Sequence, residues 1–183
     1  MYATEILRQE HKVIERILPV LEEAARRVEH GRSLDADIFP AIIDFMRVFA
    51  DRCHHAKEEE QLFPVLKQSG IDIEGGLVGA LVEEHREARV LVGKLAEQVE
   101  KLGDSEAAAE IAAITRIYVR LLAMHIEKED VTLVPLVDRT LKPEQQMSLA
   151  VIFEDVEDEE PCKGSYDRYR ELVSELEERL EIG

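Results

Sequence analysis

Apolar positions recur along this chain at alternating steps of three and four, the spacing of one helix face, and they do so in four long blocks. In the first, about Thr4 to Glu29, Leu7, His11, Ile14, Leu18, Leu21, Ala25 and Val28 form one seam. Pro19 lies inside it, and because the repeat continues beyond, the pattern predicts a kink rather than a stop. Gly31 suits the residue just past the helix end. The second block runs from about Asp35 to Gln68, with Ser33 or Asp35 as cap and Pro40 near its first turn. Its seam is Ile38, Ile42, Phe45, Phe49, Cys53 and Ala56, then shifts to Leu62, Val65 and Leu66, so the core-facing side drifts around Pro64. The third block, about Leu77 to Leu102, carries Val78, Leu81, His85, Ala88, Val92, Leu95, Val99 and Leu102. Gly103-Asp104-Ser105 offers a short capped turn. The fourth, about Glu106 to Thr140, carries Ile111, Ile114, Tyr118, Leu121, His125, Glu129 and Leu136.

Beyond Leu141, Lys142-Pro143 opens a shorter helix through Phe153, the acidic run Glu154 to Glu160 reads as a solvated loop, and Tyr169, Leu172, Val173, Leu176 and Leu180 mark a last amphipathic stretch. No strand pattern competes. The expectation is an all-α chain: an up-down four-helix bundle over 1–141 and a C-terminal helical extension over 142–183 packed on it.

Histidines interrupt the seams. His11, His85 and His125 each take a place where an apolar residue is expected. Two stretches echo each other, HHAKEEEQLFP from His54 and HIEKEDVTLVP from His125. In both, a Glu follows the first His by four residues, so the two share a helix face. Short connections make neighbouring helices antiparallel, so residues equidistant from a turn lie at one height. The midpoint of His11 and His54 falls between Arg32 and Ser33, that of Glu58 and His85 between Ile71 and Asp72, and that of His85 and His125 at Ser105. All three are in predicted turns, which places four imidazoles and the carboxylates of Glu58 and Glu129 in one layer. Bare, such a group carries a heavy desolvation cost; a metal ion takes its lone pairs. Mixed His and Glu ligation without thiolate fits iron best, and six donors exceed one tetrahedral zinc but suit two irons sharing carboxylates. Two registers compete within the first stretch. The proline position selects His54 and Glu58, whereas Leu62 and Leu66 favour the face of His55 and Glu59; His55 stays as a possible fifth imidazole. His30 reads as surface and Cys53 as core.

Composition narrows the functions. The 183 residues carry a formal charge of −17, which repels a phosphate backbone or an anionic membrane surface. No apolar run approaches the roughly 20 residues of a membrane span, and the N-terminus lacks the shape of a signal peptide. Two cysteines do not make a disulfide scaffold, so a cytoplasmic location is the expectation. Oligomeric state is open.

Glu10-His11, HHAKEEEQLFP, Glu84-His85 and HIEKEDVTLVP together resemble the hemerythrin-like family, the HHE cation-binding domain, over roughly residues 3 to 141. The resemblance implies a hemerythrin-like bundle around a non-haem diiron centre with an oxo or hydroxo bridge. His11, His54, His85 and His125 would be terminal ligands and Glu58 and Glu129 would bridge, with zinc or another divalent ion able to replace iron in a purified sample. Oxygen-carrying members use a further histidine four residues after the third-helix one; here that residue is Arg89, which leaves His55, Glu59 or a nearby Tyr as substitutes. The functional expectation is binding of dioxygen, nitric oxide or peroxide for sensing or protection. The alternative is an enzyme that disproportionates peroxide, oxidises ferrous iron or delivers iron. For the imidazoles' outer partners, Glu15, Glu84 and Asp130 are candidates.

Overall fold

A computed structural model describes residues 1–182 and contains no strand among them. Four long helices and two shorter ones follow one another through short connections. Helix α1 is Ala3–Glu29 and passes Pro19 without stopping. Helix α2 covers 38–68. It begins and ends as ordinary α-helix (Ile38–Asp44 and Phe63–Gln68) but takes the wider i→i+5 hydrogen bonding over Phe45–His55 and Lys57–Leu62. Helix α3 is Gly76–Val99. Helix α4 covers 105–140 and widens in the same way over Glu129–Leu133. Helices α5 (Pro143–Asp158) and α6 (Ser165–Leu180) complete the chain.

The caps explain the boundaries. The Asp104 side chain accepts the backbone N–H of Glu106 at 3.0 Å and starts α4. Before it, Gly103 takes φ of +117°, a conformation that residues with a Cβ avoid, and α3 ends at Val99 rather than Leu102. Helix α2 starts at Ile38, and neither Ser33 nor Asp35 caps it. The wide turns at Lys57–Leu62 and Glu129–Leu133 directly precede Pro64 and Pro135, which lack the N–H an α-helix needs and whose rings crowd the carbonyl four residues back. They also explain the drifting seams: past Glu129 the buried positions are Leu133, Val134 and Val137, and Leu136 turns partly outward.

The core is two apolar clusters with a polar layer between them. One contains Ile14, Phe49, Ala50, Ala88, Leu122 and Ile126; the other contains Leu7, Leu62, Leu81 and Leu133. Each long helix crosses from one to the other, and at the crossing stand His11 on α1, His54 to Glu58 on α2, His85 on α3, and His125 with Glu129 on α4. The equal heights deduced from the turn midpoints are therefore present in space.

The extension closes one side of the bundle. Tyr169, Val173, Leu176 and Leu180 of α6 join the first cluster against α1, and Leu149 and Phe153 of α5 join the second. The Arg16 guanidinium forks onto Glu177 at 3.0 and 2.5 Å, and the Tyr169 hydroxyl donates to Asp44 at 2.7 Å. Two sequence expectations are corrected here. The acidic run is helical through Asp158 rather than a loop, because Glu157 has a buried partner, Lys57, at 2.6 Å. And Cys53, placed in the core as expected, is bonded to Cys162, with Cα atoms 5.6 Å apart. A cysteine count carries no information on which surfaces meet, and the ground it gave for a reducing compartment is gone.

Candidate metal centre

All seven residues singled out in the sequence meet in the polar layer. The ligand atoms of His11, His54, Glu58 and Glu129 lie within 4.8 Å of one another, as do those of Glu58, His85, His125 and Glu129, and those of His55, His85 and His125. Each of the seven is buried, none more than 3% exposed. Glu58 and Glu129 belong to both mixed groups and so stand between a pair of imidazoles and a set of three.

The wide turns of α2 settle how His54 and His55 both face inward. More residues per turn means that consecutive side chains fan through a smaller angle. Glu58 shares the layer with both histidines, and Glu59, one residue on, reaches the flank of His85. The two registers that compete on an α-helix are both used, for different tasks.

Every imidazole in the cluster is held from behind by a carboxylate at Nδ1: His11 by Asp130 (3.0 Å), His54 by Glu10 (2.8 Å), His55 by Asp51 (3.3 Å), His85 by Glu59 (2.7 Å) and His125 by Glu84 (2.9 Å). A carboxylate there keeps the hydrogen on Nδ1 and leaves a lone pair on Nε2. Those lone pairs converge: Nε2 of His11 is 3.2 Å from Nε2 of His54, and Nε2 of His85 is 3.0 Å from Nε2 of His125. Two bare lone pairs at that separation repel unless a proton or a cation lies between them.

The remaining donors are equally exposed to one another. Glu129 Oε2 lies 3.1 Å from His11 Nε2, and its Oε1 lies 3.0 Å from His125 Nε2. Glu58 Oε2 lies 3.3 Å from His85 Nε2. None of the four oxygens of Glu58 and Glu129, nor Nε2 of His55, has a hydrogen bond of acceptable geometry. Buried polar atoms almost always have a partner, so this clustering of orphans, all on metal-ligating atom types, fits a cation shared by these groups.

In the metal-free protein the same geometry moves protons. Burial resists charge on His11, but the hydrogen bond to Asp130 and the Glu129 carboxylate close by outweigh it and push the imidazole up to about 10. Burial likewise opposes His85, and Glu129, Glu58 and Glu59 raise it to about 11. His125 is raised against its burial by the charge of Glu129. His55 goes the other way: burial, then repulsion from His85 stacked on it at 3.8 Å, hold it neutral, well below its ordinary value. Glu129 sits well below the carboxylate range because the surrounding imidazoles overcome its burial.

Behind the carboxylates stands a ring of cations. Lys57 contacts Glu10, Lys128 contacts Glu84, Arg89 reaches both Asp51 (2.7 Å) and Glu59 (2.6 Å), and Arg8 lies 3.6 Å from Asp130. The arrangement has an internal symmetry. The Glu preceding the histidine of α1 or α3 serves the histidine of the next helix, and the acid following Glu58 or Glu129 serves His85 or His11. In both halves the Lys preceding the central Glu holds the first of these acids. The halves differ at His55, which has Ile126 as its counterpart, and at Lys57, which the extension buries completely while Lys128 remains a third exposed.

Of the outer partners read from sequence, Glu84 and Asp130 are in place. Glu15 is on the exposed face and serves no imidazole. Glu10, Asp51, Glu59 and Lys57 were not expected in these roles. Asp51 had a signal, four residues before His55 on one helix; Glu10 acts across helices and had none beyond its place beside His11. Arg89, where a fifth histidine was absent, clamps two of the carboxylates. His30 is at the surface as expected.

Comparison with known proteins places this geometry. Residues 2–137 match the family described as hemerythrin HHE cation binding domain. Uncharacterized proteins of Mycobacterium bovis and of two Mycobacterium tuberculosis strains are each 26% identical over 182 residues, which is 98% of this chain and 71% of theirs. Those alignments run through the extension, where the family match has already ended. No solved structure matches at a significant level.

Proposed function

Because the chain belongs to the hemerythrin HHE cation-binding family, we propose that its buried layer holds two iron ions and binds dioxygen, nitric oxide or peroxide for sensing or protection. The observation that carries this reading is the set of partnerless donor atoms on Glu58, Glu129 and His55, amid imidazoles whose Nε2 lone pairs face one another. His11 and His54 would hold one ion, His55, His85 and His125 the other, and Glu58 and Glu129 would serve both. When bound, a diiron pair supplies electrons and open positions for a small ligand. The protein's part is to orient five imidazoles through their Nδ1 carboxylates, which fix each tautomer and strengthen each donor. It also excludes bulk water with an apolar cluster above and below. No helix among the described residues is long and apolar enough to cross a membrane.

The test is direct. Protein purified without a chelator or metal-affinity tag should contain about two irons per chain, and air exposure of a reduced sample should develop the charge-transfer bands of a ferric pair. Loss of both in Glu58→Ala, with helical content retained, is the expected control; an iron-loaded wild type without such bands overturns the diiron reading. Oxygen evolution from peroxide that vanishes in His54→Ala would move the protein from binding to catalysis.

A further inference from the structure

A cavity of about 300 Å³ opens between α2 and α3 and reaches the cluster at His55. Dioxygen or nitric oxide is about the size of a water molecule, which occupies roughly 30 Å³ of the liquid. The cavity therefore has an order of magnitude more room than the metal-site ligands need, and it stands at the lower end of organic-ligand sites, roughly 300–1,000 Å³. The apolar part of its lining is Met46, Ala88, Val92 and the ring of Tyr118. Gly93 extends that space, since nothing lies within 4 Å of where a Cβ on it would stand.

The polar groups at this cavity are not balanced. Arg89 is engaged by Asp51 and Glu59. Arg47 is exposed and makes neither an ion pair nor a hydrogen bond with any described residue. On a chain of net charge −17, one unpaired guanidinium beside an apolar chamber selects a single anionic head on an apolar body. Tyr118, whose hydroxyl has no protein partner among the described residues, supplies one further polar contact.

We propose that this cavity binds a small amphipathic monocarboxylate, its apolar body against Met46, Val92 and Tyr118 and its carboxylate on Arg47. Bound there, it lies against His55 and the Asp51 that holds it, without occupying a metal position. The metal-site reading is what gives that contact a consequence; the binding itself stands apart from it.

Octanoate and octanol, titrated calorimetrically into the full chain in metal-free and iron-loaded form, test the assignment. Octanoate should bind saturably, one per chain, in both forms, and at least tenfold more tightly than the alcohol. Arg47→Gln should abolish that preference. Gly93→Leu places a side chain in the open space at a helical position, so the fold and iron content should persist while octanoate affinity falls at least tenfold. Absence of octanoate binding to the wild type overturns the proposal, as does affinity unchanged in Gly93→Leu or an acid preference untouched by Arg47→Gln. Octanoate binding to a chain that takes up no iron would sink the diiron reading and leave this one standing; iron uptake without octanoate binding would do the reverse.

Discussion

Lys57 has no exposed surface, and its ammonium lies between Glu10 and Glu157. Burial opposes its charge, yet the two carboxylates hold it above the ordinary lysine range. Breaking a buried charge network by removing one member costs about 3–5 kcal/mol, so Lys57→Met should lower the urea-unfolding free energy by about 3 kcal/mol. Lys128→Met, the same change in the partly exposed counterpart, should cost under about 1 kcal/mol. Equal losses would mean that burial by the extension is irrelevant. The imidazoles give a second prediction at this scale. In metal-free protein, His11 near 10 and His85 near 11 are raised above their unfolded value of 6.5. Their contribution is therefore complete below about pH 6.5 and lost as pH climbs through 10 to 11. Glu10 is depressed to about 2 from 4.5: its burial raises it, but His54 and Lys57 pull it down further. Its contribution is complete above about pH 4.5 and fades toward 2. Thermal melts of stripped protein should peak between these limits. Metal uptake at neutral pH must expel the imidazole protons, which calorimetry in two buffers of different ionisation heat should register as more than one proton released.

At the scale of elements, α1 and α3 follow the ordinary helical period and were legible from apolar spacing. So was the common height of the histidines, because it depends only on chain counting between turns. Helices α2 and α4 were legible only up to their wide turns. A period search assumes a constant angle per residue, and nothing in Glu129–Leu133 announces a change except the proline that follows. A constant period therefore puts Leu136 in the seam and makes rivals of His54 and His55. The disulfide lay beyond reach for a different reason: its partners are 109 residues apart, and periodicity says nothing about which long-range surfaces meet. Closing so long a loop removes unfolded-state entropy worth up to roughly 5 kcal/mol, from which native-state strain subtracts. Denaturation with and without a dithiol reductant should differ by about 3 kcal/mol, with the α6 contacts on α1 lost first in hydrogen exchange.

For the molecule as a whole, the two apolar clusters are held apart by a layer of charge that stabilises the fold only when something neutralises it. A ligand present at a thousandfold over its dissociation constant contributes about 4 kcal/mol. In a chain of this size that corresponds to a rise of about 10 °C in melting temperature. Iron loading should produce it, and Glu58→Ala should remove most of it; a melting point indifferent to metal would contradict the site.

Arg89 joins two parts of the site. One guanidinium secures the supports of two different imidazoles, His55 and His85. A histidine placed there by a single exchange would add a ring and take away the cation that Asp51 and Glu59 share. Arg89 thus ties Asp51 on one helix to Glu59 a further two turns along it, so that the orientations of two imidazoles on different helices depend on a single side chain.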